Sequence, residues 1–263
     1  MNFREQLKNK KTVVLKIGTS SIAFSNGRVN LHRMERLVAV ICQLRAEGRN
    51  VVLVSSGSIG VGVGKLGRNV RPATLQGKQA AASIGQAVLM KMYQKFFSAY
   101  NQVVAQILLT SDVLQDAERK HNAQNTFSKL LEMGVVPIVN ENDSISTDEI
   151  EIGDNDTLSA MVATLCKADI LILMSDIDGL FTADPRKDPK AERLSVVTDI
   201  SAEIIASATG AGSSFGTGGM ATKIKAALMC KADGISSMVV NADSPEIIFD
   251  VLQGKDVGTL FTA

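Results

Sequence analysis

The chain has 263 residues, 45% apolar and 21% charged, and its 28 basic residues against 27 acidic ones leave a formal net charge of +1. That balance is ordinary for a soluble globular protein with a sizeable core, and it lacks the positive field that nucleic-acid binding demands. Cys42, Cys166 and Cys230 sit among apolar residues in separate helical patterns, as the reduced thiols of a cytoplasmic protein do. The polar, basic stretch Met1–Lys11 has no apolar segment of a secretory signal, and no apolar run approaches the ~18 residues that span a bilayer. The expectation is a soluble cytoplasmic protein whose partner is a small molecule, with no nucleic acid and no membrane.

In chain order, the first apolar run, Thr12–Leu15, predicts a strand that closes on Lys16 and turns through Gly18-Thr19-Ser20. Leu31, Met34, Leu37, Val38, Ile41 and Leu44 recur at three-and-four spacing and predict a helix that opens beside His32 and stops near Gly48. A second strand, Val51–Val54, runs into Ser55-Ser56-Gly57. Gly62-Val63-Gly64-Lys65-Leu66-Gly67 then matches the dinucleotide-binding string, but its context fails: the strand ends eight residues earlier and Pro72 precedes any clear helix. No acid follows within about 20 residues to hold a ribose either. Further strands are predicted at Val103–Leu109, Val135–Val139, Ile170–Met174 and Ser237–Val240, with His121 in a polar stretch between the first two. Helical spacing returns at Leu158, Met161, Val162 and Leu165, and at Met220, Ile224, Ala227 and Leu228 before Gly234.

Continuous rather than alternating apolar runs imply strands buried on both faces, and their alternation with helices implies α/β architecture: a three-layer helix-sheet-helix sandwich with a mainly parallel central sheet. The expected organisation is a single domain over residues 1–263, with one lobe to residue 166 and a second from 167 onward.

Two loops stand out chemically. Asn140 to Asp156 follows the fourth strand and carries Glu141, Asp143, Asp148, Glu149, Glu151, Asp154 and Asp156 without a Lys or Arg, interleaved with Asn140, Asn142 and Asn155. One of Asp154, Asn155 and Asp156 suits an N-cap, which accounts for one residue and not the set. In Gly216-Thr217-Gly218-Gly219-Met220-Ala221-Thr222-Lys223 the glycines run straight into a helix, so backbone N–H groups can converge on an anion while Lys223 adds a charge on the first turn. The neighbouring Ser207–Ser214 reads as a linker.

Taken together, Val14–Ser20, Ser55-Ser56-Gly57, Asn140–Asp143, Gly153–Asp156, Ser175–Arg186 and Gly216–Lys223 resemble, in order and across essentially the whole chain, the amino acid kinase family, and Val257–Phe261 also fits. Within that family the blocks are similar to the branch that acts on L-glutamate at the first step of proline biosynthesis. The resemblance implies transfer of the γ-phosphoryl of ATP, with Mg²⁺ carried on its phosphates, to the side-chain carboxylate of glutamate. It makes Lys16 and Lys223 the cations flanking the transferring group and Asp156 the acid that orients them. Ser56, Asp143 and Asn155 become substrate-binding positions. Lys16, Ser175, Asp176, Thr217, Gly218, Gly219, Met220, Ala221, Thr222 and Lys223 become the nucleotide site, Ser175 standing where Thr is frequent. No protein ligand set for a metal is implied.

Phosphoryl transfer to a carboxylate needs positioning and charge stabilisation rather than a covalent nucleophile or a strong base, which suits a site without histidine. Many bacterial members of the branch carry a C-terminal PUA domain, and the sequence stops at Ala263 without one, which reduces the weight of proline feedback inhibition and homo-oligomer formation as expectations. The alternatives are a relative acting on N-acetylglutamate, aspartate or uridylate, against which Asn140–Asp143 argues, and a non-catalytic sensor of the same fold, for which Lys16, Asp156 and Lys223 together would be superfluous.

Overall fold

The structure, a computed structural model, describes residues 3–68, 70–146, 155–185, 187–205 and 219–263. Strand β1 (Thr12–Ile17) is followed by the short helix α1 (Thr19–Ile22), helix α2 (Leu31–Ala46), β2 (Asn50–Ser55), α3 (Ser58–Lys65) and α4 (Leu75–Ser98). Then come β3 (Val104–Leu109), α5 (Ala117–Glu132), β4 (Val136–Glu141), α6 (Asp156–Leu165) and β5 (Ile170–Ser175). The chain closes with β6 (Val196–Val197), α7 (Met220–Ala232), β7 (Ser236–Asn241), α8 (Ile247–Leu252) and β8 (Thr259–Phe261).

The eight strands form one sheet in the order β3-β4-β2-β1-β5-β7-β8-β6, parallel except where β8 pairs antiparallel with β7. Alternate strand residues feed two cores, as the pleat requires. Val13, Leu15, Val51, Leu53, Ile138, Ile172 and Met238 pack under α2, α4 and α8, whereas Val14, Val52, Val139, Leu171, Leu173 and Val239 pack under α5, α6 and α7. This is the expected three-layer sandwich. The apolar run at β3 departs from the expected double-sided burial: Gln106 and Leu108 are exposed, because β3 is an edge strand paired only with β4. Strands β6 and β8, two and three residues long, are too short for a periodicity signal.

The chain leaves β1 toward β2 and returns on its other side through β5, so the strand order reverses at β1. That is where an open α/β sheet leaves a crevice beyond its carboxyl ends. The dinucleotide-like string proves to be a packing device. Gly62 and Gly64 lie inside α3, and a Cβ at Gly62 would fall 1.8 Å from the Ala81 carbonyl oxygen, while one at Gly85 of α4 would fall 1.8 Å from that of Ser58. Bare glycines let the two helix backbones touch, which fixes the start of α3 beneath the crevice.

At the opposite end of the sheet, buried Arg4 spends all five guanidinium N–H groups on late segments of the chain. It donates to the carbonyls of Ser195, Lys255, Val257 and Gly258 at 2.7–3.0 Å and to Ser195 Oγ at 3.2 Å, and pairs with Asp256 at 3.1 Å. Among the described residues no helix is long and apolar enough to cross a membrane.

Candidate active site

Lys16, near the carboxyl end of β1, is paired in register with Val54 of β2 and Leu173 of β5, which places its stem in the middle of the sheet on the face covered by α6 and α7. Asp156 opens α6 and is fully buried, at a helix terminus whose dipole favours an anion. Lys16 Nζ lies 2.6 Å from Asp156 Oδ1, and Lys223 Nζ, from the first turn of α7, lies 3.1 Å from Oδ2. Burial pushes the Asp156 carboxyl upward, but the two ammonium groups outweigh it and hold the group below the usual carboxylate range. Two buried ammonium groups held on one carboxylate concentrate positive charge here, a setting that suits an anionic ligand.

The amino end of α7 extends that electropositive corner. Gly219 is extended there (φ −71°, ψ −179°) and, among the described residues, no side chain caps the helix, so its amino end suits an anion. Thr222 Oγ1 sits 2.9 Å from Asp156 Oδ2 and 2.7 Å from the Gly219 carbonyl oxygen. With one hydroxyl proton it serves either acceptor, tying the turn to the ion-pair cluster.

The loops after β2 and β4 form a second, negative corner. Asp143 is 4% exposed; its Oδ2 accepts from Ser58 Oγ at 2.8 Å, and its Oδ1 is buried without a hydrogen-bond partner. Burial raises the Asp143 carboxyl above its ordinary value, against the opposing pulls of the Ser58 hydrogen bond and the Arg71 charge. Asn155, fully buried at the residue before α6, donates from Nδ2 to the Ser55 carbonyl at 3.1 Å and to Asn140 Oδ1 at 2.7 Å, while its own Oδ1 is also buried and unmatched. Ser56 is buried between the corners, its N–H donating to the Ile17 carbonyl at 3.3 Å. Behind it Ser55 Oγ meets the buried Tyr93 hydroxyl at 2.8 Å, where burial pushes the phenol up to about 12.

Ser175 ends β5 beside Asn241 of β7, and its Oγ donates to Asp176 Oδ1 at 3.1 Å. The following loop is latched by Thr259, whose Oγ1 accepts from the Leu180 N–H at 2.8 Å and donates to the Leu194 carbonyl at 2.6 Å. Of the residues singled out from sequence, Lys16, Asp156, Thr222 and Lys223 thus meet in one cluster. Asn155 adjoins that cluster in the chain, Asp143 occupies the negative corner, and Ser175, Asp176, Gly219, Met220 and Ala221 sit on neighbouring strand and helix ends. Thr217 and Gly218, with Asp148, Glu149, Glu151 and Asp154, lie outside the described residues.

Sequence reasoning missed Ser58, Gln86 and Tyr93, whose partners are 85, 54 and 38 positions away. The serine after Gly57 was the one local signal. Burial pushes the Cys42 thiol up to about 11 and those of Cys166 and Cys230 up to about 12, which leaves them protonated at neutral pH, and His32 and His121 are exposed.

Residues 11–241 match the model of the amino acid kinase family. Glutamate 5-kinase of Clostridium perfringens is 52% identical over 265 residues, an alignment covering 99% of this chain and 98% of that one. The Clostridium tetani glutamate 5-kinase is 50% identical over 262 residues, covering 100% and 98%. Among solved structures, UMP kinase from Bacillus anthracis superposes with a TM-score of 0.64 at 16% identity over 96% of both chains, a likeness of fold. With this sheet order, these paired lysines and these alignments, the chain belongs to the amino acid kinase family.

Proposed function

We propose that the chain is a glutamate 5-kinase, transferring the γ-phosphoryl of ATP to the side-chain carboxylate of L-glutamate in proline biosynthesis in the cytoplasm. The observation that carries this reading is the pairing of opposite corners: Lys16 and Lys223 around Asp156 on one side, and Asp143 with an open buried Oδ1 on the other. Relatives of about 50% identity along the whole chain support it.

A γ-carboxylate oxygen attacks the terminal phosphorus, forming the new O–P bond, and the bond to the β,γ-bridging oxygen breaks with its electron pair leaving on ADP. The acceptor is already ionised at pH 7, so no proton need move. Lys16 and Lys223 stabilise the charge on the transferring group and the leaving oxygen, and Asp156 fixes both ammonium groups in place. Mg²⁺ carried on the nucleotide would neutralise phosphate charge; the two ammonium groups of the cluster and the amino end of α7 fit polyphosphate. Asp143 receives the substrate's α-ammonium, while Ser56 and Asn155 line the same pocket. Residues 1–166 serve as the glutamate lobe and 167–263 as the nucleotide lobe, with Ser175, Asp176 and Thr217 to Lys223 around ATP.

ADP release from Mg-ATP tests this across free and N-acylated amino acids, with hydroxylamine present to trap the electrophilic acyl phosphate as a hydroxamate. Turnover restricted to glutamate and its close analogues is expected. Turnover of uridylate without glutamate would overturn the assignment. Proline inhibition and self-association belong to the same reading, and initial rates with added proline together with light scattering test them.

A further inference from the structure

Three amides form a chain behind the substrate corner. Asn155 Nδ2 spends its two protons on the Ser55 carbonyl (3.1 Å) and Asn140 Oδ1 (2.7 Å), and Asn140 Nδ2 in turn donates to Gln86 Oε1 at 3.0 Å from helix α4. The direction of this chain is not arbitrary. A main-chain carbonyl can only accept, so flipping Asn155 would set its oxygen against that of Ser55. The Asn155 amide is thereby locked with nitrogen inward and oxygen free, and Asn140 must follow, which obliges the residue at position 86 to offer an acceptor.

The fully buried Asn155 therefore has one unfilled capacity, an acceptor, and the nearly buried Asp143 Oδ1 is likewise an unfilled acceptor. Neither side chain has a free donor. A carboxylate of the substrate would meet oxygen against oxygen at both, whereas an ammonium with three N–H groups satisfies both. An acylated nitrogen has one N–H and could serve only one of them.

On the strength of the proposed reaction, in which Asp143 and Asn155 bind glutamate, we infer that Gln86, acting through Asn140, is the positioning residue that keeps the Asn155 amide turned with its Oδ1 toward the α-ammonium. Gln86 is half-buried on α4, and the partner of its side chain is Asn140 rather than a member of the ion-pair cluster. Its influence is on binding rather than on the chemical step.

The test compares wild type with Gln86→Leu, which has no acceptor, and Gln86→Glu, which keeps one. Gln86→Leu is expected to raise KM for glutamate about tenfold, with kcat and KM for ATP within about twofold of wild type, and Gln86→Glu to restore most of the loss. Glutarate, which lacks the α-ammonium, is titrated as a competitive inhibitor of all three. Its inhibition constant is expected to stay unchanged, because the contact being lost does not exist for it. An unchanged KM in Gln86→Leu, or equal weakening of glutarate and glutamate, would overturn the positioning role even with the kinase activity established. Absence of glutamate turnover by wild type would instead remove the functional reading and this inference with it.

Discussion

Asp156→Asn removes the carboxylate that Lys16 and Lys223 share while keeping its shape. The aspartate side chain is 0% exposed and the two lysine side chains 8% and 5%, so water cannot take its place. Breaking one buried pair costs about 3–5 kcal/mol. Against a total stability of about 5–15 kcal/mol, and at roughly 2–4 °C per kcal/mol, the melting temperature should fall by about 6–20 °C. Thermal unfolding followed by circular dichroism at pH 7, with and without Mg-ATP, measures it. Phosphate oxygens would supply the missing negative charge, so the nucleotide should raise the melting temperature of the variant more than that of wild type. A loss under about 1 kcal/mol, or an equal response to Mg-ATP, would refute the account of the cluster as a mutually dependent trio.

Lys223→Ala should lower kcat by roughly 10²–10³, about 3–4 kcal/mol in the barrier, with a smaller change in KM for ATP, as steady-state kinetics would show. Asp143→Asn should raise KM for glutamate and at the same time raise the melting temperature at neutral pH. The folded-state value of this carboxyl is raised by burial, so its charged form costs stability above that value; the cost vanishes below the unfolded value of about 3.9, and the melting difference should close as pH falls through it. Gly85→Ala should destabilise by about 1–3 kcal/mol despite the better helix propensity of alanine, because the new methyl strikes the Ser58 carbonyl, and it should raise KM for glutamate by moving Ser58 from Asp143; denaturant melts and kinetics read the two effects separately.

The six longer strands and helices α2, α6 and α7 were legible because burial on both faces leaves continuous β-branched runs, and helices packed on one side leave three-and-four spacing, whereas α4 and α5, 24 and 16 residues long, were not read from the sequence. The ends of β1, β2, β4 and β5 could be ordered along the chain, and Lys16, Asp156 and Lys223 stood out as charges next to glycine or at helix starts. What remained hidden was pairing across distance. Nothing local distinguishes Gln86 from any other glutamine on a helix face, and its meaning comes only from Asn140 lying 54 positions later. Gly62 and Gly64 belong to a string whose dinucleotide-binding reading already failed on context, and they serve close backbone approach instead, Gly62 to α4 at Ala81 and Gly64 to the turn at Asn26 and Gly27.

The Arg4 clasp bears on the order of events during synthesis. Its guanidinium is made 191 to 254 residues ahead of its acceptors at Ser195 and residues 255–258. Five donors must stay hydrated until those acceptors have emerged, and β1, though paired early with β2, also waits for β5 on its other side. Docking of residues 3–10 is therefore a late event with high contact order, closing the sheet like the last stave of a barrel. A chain interrupted before Ser195 would leave that basic segment loose, so a fragment and a chain that carries the acceptors differ at residues 3–10 in what a protease could grip.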